Sequence, residues 1–307
     1  MHRLALVVMI AGVLVHGASP DLRPEIARVR KGAAIVPESE RTFMAGRLDS
    51  AEVAAARGRT LAALYYLETP WVMQDAFVFV TSVSSITTAE AFQRKWSEMG
   101  APPDPAVGSQ RSQVVLEAMA LSAEARGPAT YRASLPFSED AGLPAGLYYL
   151  GESRAFGHFA AFCRSLGWKP QGPAPPFRSI EPELARLDQT VVAAYERADT
   201  EHRRPFIGVN VTIKHARTLD GQRLYQASLL QYLLARYRFG ALTPSTTDAA
   251  SLKRRLSDVH LPAGIDHSIA ALFLDLAQFE LEAGSEGPAR ATAILDDVLP
   301  AYWQVVP

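Results

Sequence analysis

Asp258-Val259-His260 and Asp266-His267 put two acids and two imidazoles within ten residues. Imidazole nitrogen and carboxylate oxygen together ligate zinc, or share a proton in general-base work. His260 and His267 are therefore the candidate metal ligands. Their setting speaks against strong use. Leu261-Pro262-Ala263-Gly264 between them reads as a loop, so the zinc pattern with two histidines one helical turn apart is absent. Asp266 also has a simpler use, as the N-cap of the helix that follows it.

The remaining reactive side chains are scattered. His158, His202 and His215 stand apart in sequence, and Glu201-His202-Arg203-Arg204 reads as a solvated helix end. There is no Gly-x-Ser-x-Gly elbow and no glycine-rich phosphate loop ahead of a helix. Ser82, Ser84 and Ser85 adjoin an apolar run that singles out no nucleophile. Cys163, the only cysteine, follows Phe159-Ala160-Ala161-Phe162 and reads as a buried, inert thiol with no disulfide partner. Asn210-Val211-Thr212 matches a glycosylation acceptor by pattern, with meaning only in a cell that glycosylates. No cofactor is implied, and the balance favours binding over catalysis.

Composition narrows the partners. The chain has 307 residues, 31 basic and 32 acidic, for a net charge near −1. Nucleic-acid binding without sequence preference needs a basic surplus or face, so no nucleic-acid partner is expected. With 48% hydrophobic and 21% charged residues the chain is ordinary globular material. It is long enough to bury a sizeable core without staples.

The N-terminus carries a targeting pattern. Arg3 precedes an apolar or glycyl run over residues 4–15, and Val15-His16-Gly17-Ala18 then offers small residues. A charged start, an apolar run of about a dozen residues and a small-residue exit predict a signal peptide over residues 1–17. The run is shorter than the roughly 20 residues of a membrane span. Export to a periplasmic or extracellular space follows, with an uncleaved N-terminal anchor as the alternative. Nothing further along predicts a membrane span after signal removal.

The elements that must position these side chains read as helices. Residues 18–48 hold Pro20, Pro24 and Pro37 and look like an irregular lead-in. Order is expected from Asp49, which with Glu52 resembles a capping box. A first helical half over residues 49–170 contains starts at Asp49, Thr87 and Ser109 and stops at Gly100, Gly127-Pro128 and Gly167. Residues 171–182 form a proline-rich linker. A second helical half over residues 183–307 follows, with Leu184, Leu187, Val191 and Tyr195 on one face. Two stretches read as either strand or helix: residues 76–80, rich in strand formers, and residues 207–213, where Ile207, Val209, Val211 and Ile213 alternate. The fold expected is all-α, with antiparallel helical hairpins stacked as a short solenoid or an irregular bundle and room for one minor β-hairpin.

An internal echo supports stacking. Leu64-Tyr65-Tyr66-Leu67, Leu147-Tyr148-Tyr149-Leu150 and Leu230-Gln231-Tyr232-Leu233 begin 83 residues apart (147 − 64 and 230 − 147). Two helix pairs of a repeat protein take roughly that length. Tyr66, Tyr149 and Tyr232 are then candidates either for a core seam or for an aromatic-lined ligand groove. Leu150-Gly151, Phe156-Gly157, Ala160 and Pro170 resemble one tetratricopeptide-type hairpin, and Leu276-Ala277, Gly284, Ala291, Leu295 and Pro300 resemble another. The likeness covers about a fifth of the chain, and the family's tryptophan position is unfilled. The resemblance implies an antiparallel helical stack that binds a protein or peptide partner without catalysis of its own. Other expectations stay open: a small-molecule carrier with an aromatic-lined apolar pocket, or an enzyme whose residues converge only in three dimensions.

Overall fold

A computed structural model describes residues 19–106, 112–137, 142–242, 247–282 and 287–306. The expected signal peptide and residues Ser109 and Gly284 lie outside them. Among the described residues every regular element is helical and no strand occurs. None of these helices is long and apolar enough to cross a membrane.

Three long helix pairs form the frame. α1 (Arg23–Gly32) leads into α2 (Glu38–Ala56), which pairs with α3 (Thr60–Ser82). After α4 (Ala89–Met99), α5 (Val114–Ser134) pairs with α6 (Leu143–Ser165). After α7 (Glu181–Arg197), α8 (Arg204–Gly221) pairs with α9 (Tyr225–Gly240). The chain ends in α10 (Ala249–Ser257), α11 (Ser268–Glu280), α12 (Gly287–Ala293), a π-helical turn (Ile294–Val298) and α13 (Leu299–Val305).

The echo falls at matching depths in these pairs. α3 and α6 are each 23 residues long and start 83 apart (143 − 60), with Leu64 and Leu147 at the fifth position of each. α9 starts 82 residues after α6 (225 − 143), with Leu230 at its sixth position. The pairs do not stack by simple translation. α3 packs on α6, whereas α9 packs on α5, and α11 touches both α3 and α5. The hairpins thus form an irregular bundle, with α11 lodged against α3 and α5. α5 fits its inner position because residues 114–123 are buried on every face, as expected of a helix without a polar side.

One continuous core includes residues from Leu22 to Val306, so the two halves share it. The proline-rich segment between them is tied down at both ends. Asp266 N–H donates to Pro173 O at 2.9 Å, and Ile180 is fully buried.

Several sequence expectations need correction. The β-hairpin does not form: residues 76–80 continue α3, and residues 207–213 lie within α8. In α8, Val209 and Ile213 are buried four residues apart while Ile207 and Val211 are exposed. Alternation had masked a helical period, and packing overrode strand propensity. Residues 19–48 of the expected irregular lead-in are largely helical as well. Leu22, Ile26 and Val29 recur on one buried face, and Pro24 sits in the first turn of α1, where a missing N–H costs nothing. Asp49 and Glu52 start no helix. They lie within α2 and both accept from Arg30, at 2.8 and 2.9 Å. Gly127-Pro128 does not end α5, which runs on to Ser134. Residues 150–160 occupy one uninterrupted helix, so that stretch is no hairpin by itself. Gly151 does serve close approach: a Cβ there would stand 2.8 Å from Ala76 O, at the crossing of α6 over α3.

Three helices begin at N-cap residues whose own side chains cap nothing, and each takes a carboxylate from later in the chain. Asp275 accepts from Leu61 N–H of α3 at 3.2 Å. Asp266 accepts from Val114 N–H of α5 at 3.1 Å. Asp220 accepts from Ile180 N–H at the start of α7 at 2.9 Å. Each carboxylate satisfies an orphan donor and complements the positive helix end.

Candidate functional site

The candidate site is an open cleft of about 930 Å³. α2 contributes Arg47, α3 contributes Tyr65 and Tyr66, and α9 contributes Tyr237 and Arg238. Pro205, Gly208 and Val209 of α8 form one wall, and Pro288, Ala289 and Arg290 of α12 form another. Small residues at Gly208, Ala241 and Ala289 leave the space open.

Beneath the cleft lies Glu280, the last residue of α11 and 1% exposed. It accepts from Tyr66 Oη at 2.5 Å and from Tyr237 Oη at 2.7 Å. Arg290 Nη1 donates to the same carboxylate at 3.3 Å. A buried charge must be paired and hydrogen-bonded to be tolerated, and here two phenols and a guanidinium supply that. Burial, with the nearby Glu280 charge, raises the pKa of both Tyr66 and Tyr237 well above the ordinary value. Both phenols keep their protons and donate them to Glu280.

Above this network, the Arg47 guanidinium sits 4.9 Å from the ring centroids of both Tyr65 and Tyr66. Its Nη2 donates to Tyr65 O at 2.8 Å, while its buried Nε has no hydrogen-bond partner. The Tyr66 ring also packs against Phe279 at 5.1 Å. Arg238, exposed at the rim, donates to Thr212 Oγ1 at 2.6 Å. The cleft thus presents guanidinium groups, ring faces and prolines to whatever enters it. The hydroxyl protons of Tyr66 and Tyr237 are committed to Glu280.

The other two echo tyrosines sit elsewhere. Tyr149 is half-buried against Phe137 and Tyr148, at 5.3 and 6.0 Å. Tyr232 is 2% exposed and accepts from Arg236 Nη1 at 3.0 Å beside a separate, smaller concavity. Tyr66, Tyr149 and Tyr232 therefore line no common groove.

His260 and His267 also part company. His260 is exposed, with Nδ1 3.0 Å from Asp258 O. His267 is buried, with Nδ1 2.8 Å from Tyr302 Oη. Burial lowers the His267 pKa against the opposing pull of Asp266. Among the described residues no group of three or more His, Cys, Asp or Glu side chains is placed to hold a metal. Asp266 accepts from Val114 N–H and from Ser268 N–H, the latter at 2.9 Å, and Ser268 Oγ accepts from Val115 N–H at 3.0 Å. The acid–imidazole cluster is thus a joint between α11 and the start of α5.

One serine–histidine pair forms that the sequence did not suggest. Ser122 Oγ lies 3.1 Å from His215 Nε2 and accepts from Gln231 Nε2 at 2.8 Å. Burial, then the charge of Arg126, pushes the His215 pKa down to about 3. Ser122 is 1% exposed, and among the described residues no carboxylate orients the other ring nitrogen. A nucleophile needs access and an oriented base, so this pair serves packing.

Sequence reading found Tyr66 and missed Arg47, Tyr237, Arg238, Glu280 and Arg290. Glu280 did carry a signal, as the acid that closes the largely apolar run of α11. Arg47 fell in the segment read as irregular. Comparison with known proteins adds no relative: no family model, no curated protein and no solved structure matches the chain.

Proposed function

We propose that this chain is an exported, non-catalytic binding protein whose cleft receives an extended acidic segment of a partner protein. The observation that carries this reading is the open cleft of about 930 Å³, walled by Arg47, Arg238 and Arg290 around the Tyr65 and Tyr66 rings. The chain as a whole is nearly neutral, at −1, so guanidinium groups gathered in one concavity are a local feature. Arginine suits carboxylate recognition by its planar fork. Ring faces and prolines suit the apolar atoms of an extended backbone. The pattern at residues 1–17 supports export. The helix pairs at near-83-residue intervals support descent from one repeated hairpin, in keeping with the tetratricopeptide-like resemblance.

Selection from a displayed random peptide library tests the reading. The wild-type chain should enrich peptides carrying Asp or Glu at fixed positions, and the Arg47→Glu, Arg238→Glu double variant should lose that enrichment. No enrichment by the wild type, or equal enrichment by both, would reject it. N-terminal sequencing of protein made in its own host should return a start at Ala18; a soluble chain starting at Met1 would reject export.

An enzyme is the second reading, favoured by one observation: Glu280, Tyr66 and Tyr237 are titratable and converge beside a cleft. Their chemistry weighs against it. The phenols are held protonated, and general-base or nucleophilic work requires a lowered pKa.

A further inference from the structure

A second, smaller concavity opens between α7, α9 and the π-helical turn, with a volume of about 270 Å³. That exceeds the roughly 150 Å³ of an apolar cavity able to take up benzene. Its lining mixes both signs of charge. Glu183 and Arg186 come from α7, Arg236 and Phe239 from α9, and Asp297 from the π-helical turn.

Two of these charged groups carry buried atoms without partners. Glu183 is 9% exposed and accepts from Arg178 Nη2 at 2.9 Å through Oε1. Its Oε2 is buried and has no hydrogen-bond partner. Arg236 uses Nη1 on Tyr232 Oη at 3.0 Å and Nη2 on Asp297 Oδ1 at 3.2 Å. Its Nε is likewise buried and unpartnered. Buried polar atoms are almost always hydrogen-bonded, and exceptions call for an explanation. The π-helical turn is a second signal, because single π turns recur at functional sites. It carries Asp297, which is the partner of Arg236.

We propose that this concavity binds a zwitterionic α-amino acid with an apolar side chain. Glu183 and Asp297 take the ammonium, Arg236 and Arg186 take the carboxylate, and Leu187 and Phe239 pack the side chain. A simple anion would leave Glu183 Oε2 unpaired, and a simple cation would leave Arg236 Nε unpaired. A ligand that carries an ammonium and a carboxylate on one carbon serves both. Arg186 is the adaptable member: its side chain is 73% exposed and 3.9 Å from Glu183.

Isothermal titration of the full chain with L-phenylalanine and L-leucine tests this. Saturable one-to-one binding is expected. N-acetyl-L-phenylalanine lacks the ammonium and L-phenylalanine methyl ester lacks the carboxylate, and each should bind about tenfold more weakly or worse, the scale of one charge-assisted hydrogen bond. Arg186→Ala and Asp297→Asn change well-exposed side chains, so thermal unfolding should stay near wild type while phenylalanine affinity falls about tenfold. Arg238→Glu, in the larger cleft, should leave phenylalanine binding intact, which separates this site from the proposed peptide cleft. Absence of heat with both amino acids would overturn the proposal. So would equal binding of the blocked derivatives, unchanged affinity in both pocket variants, or loss of binding in Arg238→Glu.

Discussion

Two buried carboxylates of α11 and its N-terminal flank make an instructive pair. Asp266 and Glu280 are both about 1% exposed. Asp266 spends its oxygens on backbone N–H groups of Val114 and Ser268. Glu280 spends its oxygens on the Tyr66 and Tyr237 hydroxyls and on Arg290. Backbone donors belong to the fold, so Asp266 is consumed in holding α5 to α11. Side-chain donors can face two ways. Those around Glu280 turn their rings and guanidinium toward open space. The lesson is that burial of an acid says little about use. What counts is whether its partners border a cavity.

The comparison can be broken at several points. Asp266→Ala has the largest expected effect. It strands buried donors on Val114 and Ser268, each worth about 1–3 kcal/mol, so urea unfolding should lose roughly 2–5 kcal/mol. An unchanged midpoint would remove the distinction between the two acids. Tyr66→Phe deletes one hydrogen bond to a charged group, for a loss of about 1.5–3 kcal/mol, and should leave the cleft shape intact. A smaller effect is expected from pH. His215 is held neutral by a pKa depressed to about 3, against an ordinary 6.5. The unfolded chain therefore binds the proton first, so stability is full above about pH 6.5 and falls as pH drops toward 3. Comparing wild type with His215→Gln across that window should show a difference that shrinks with acid, by on the order of 1–3 kcal/mol. A pH-independent difference would mean that His215 titrates normally. Arg238→Ala is expected to do least to folding, within about 0.5 kcal/mol. A larger loss would make the cleft rim as structural as the Asp266 joint.

Much of the fold was legible because apolar spacing and stop residues agree along most helices. Leu184, Leu187 and Val191 are buried together on α7, as their period predicts. Gly100 ends α4 at φ +64°, and Gly167 lies just past α6 at φ +63°. Prolines misled in both directions. Pro24 and Pro37 looked disruptive but sit at helix starts, and Pro128 was read as a stop although surrounding burial carries α5 past it. The cleft was nearly invisible for a different reason. Arg47, Tyr66, Arg238 and Arg290 come from four helices, and no sequence period encodes the packing that gathers them. Asp266 and His267 stood out because they are adjacent, and adjacency turned out to serve a helix cap.

The borrowed caps also set an order of events. A chain that emerges N-terminus first presents the start of α3 at Leu61 long before Asp275 exists to close it, a gap of 214 residues. α5 waits 152 residues for Asp266. Until those segments arrive, two of the longest helices fray at their origins and the apolar faces meant for α11 stay uncovered. A chain cut before Asp266 therefore lacks both borrowed caps and leaves the apolar faces meant for α11 uncovered.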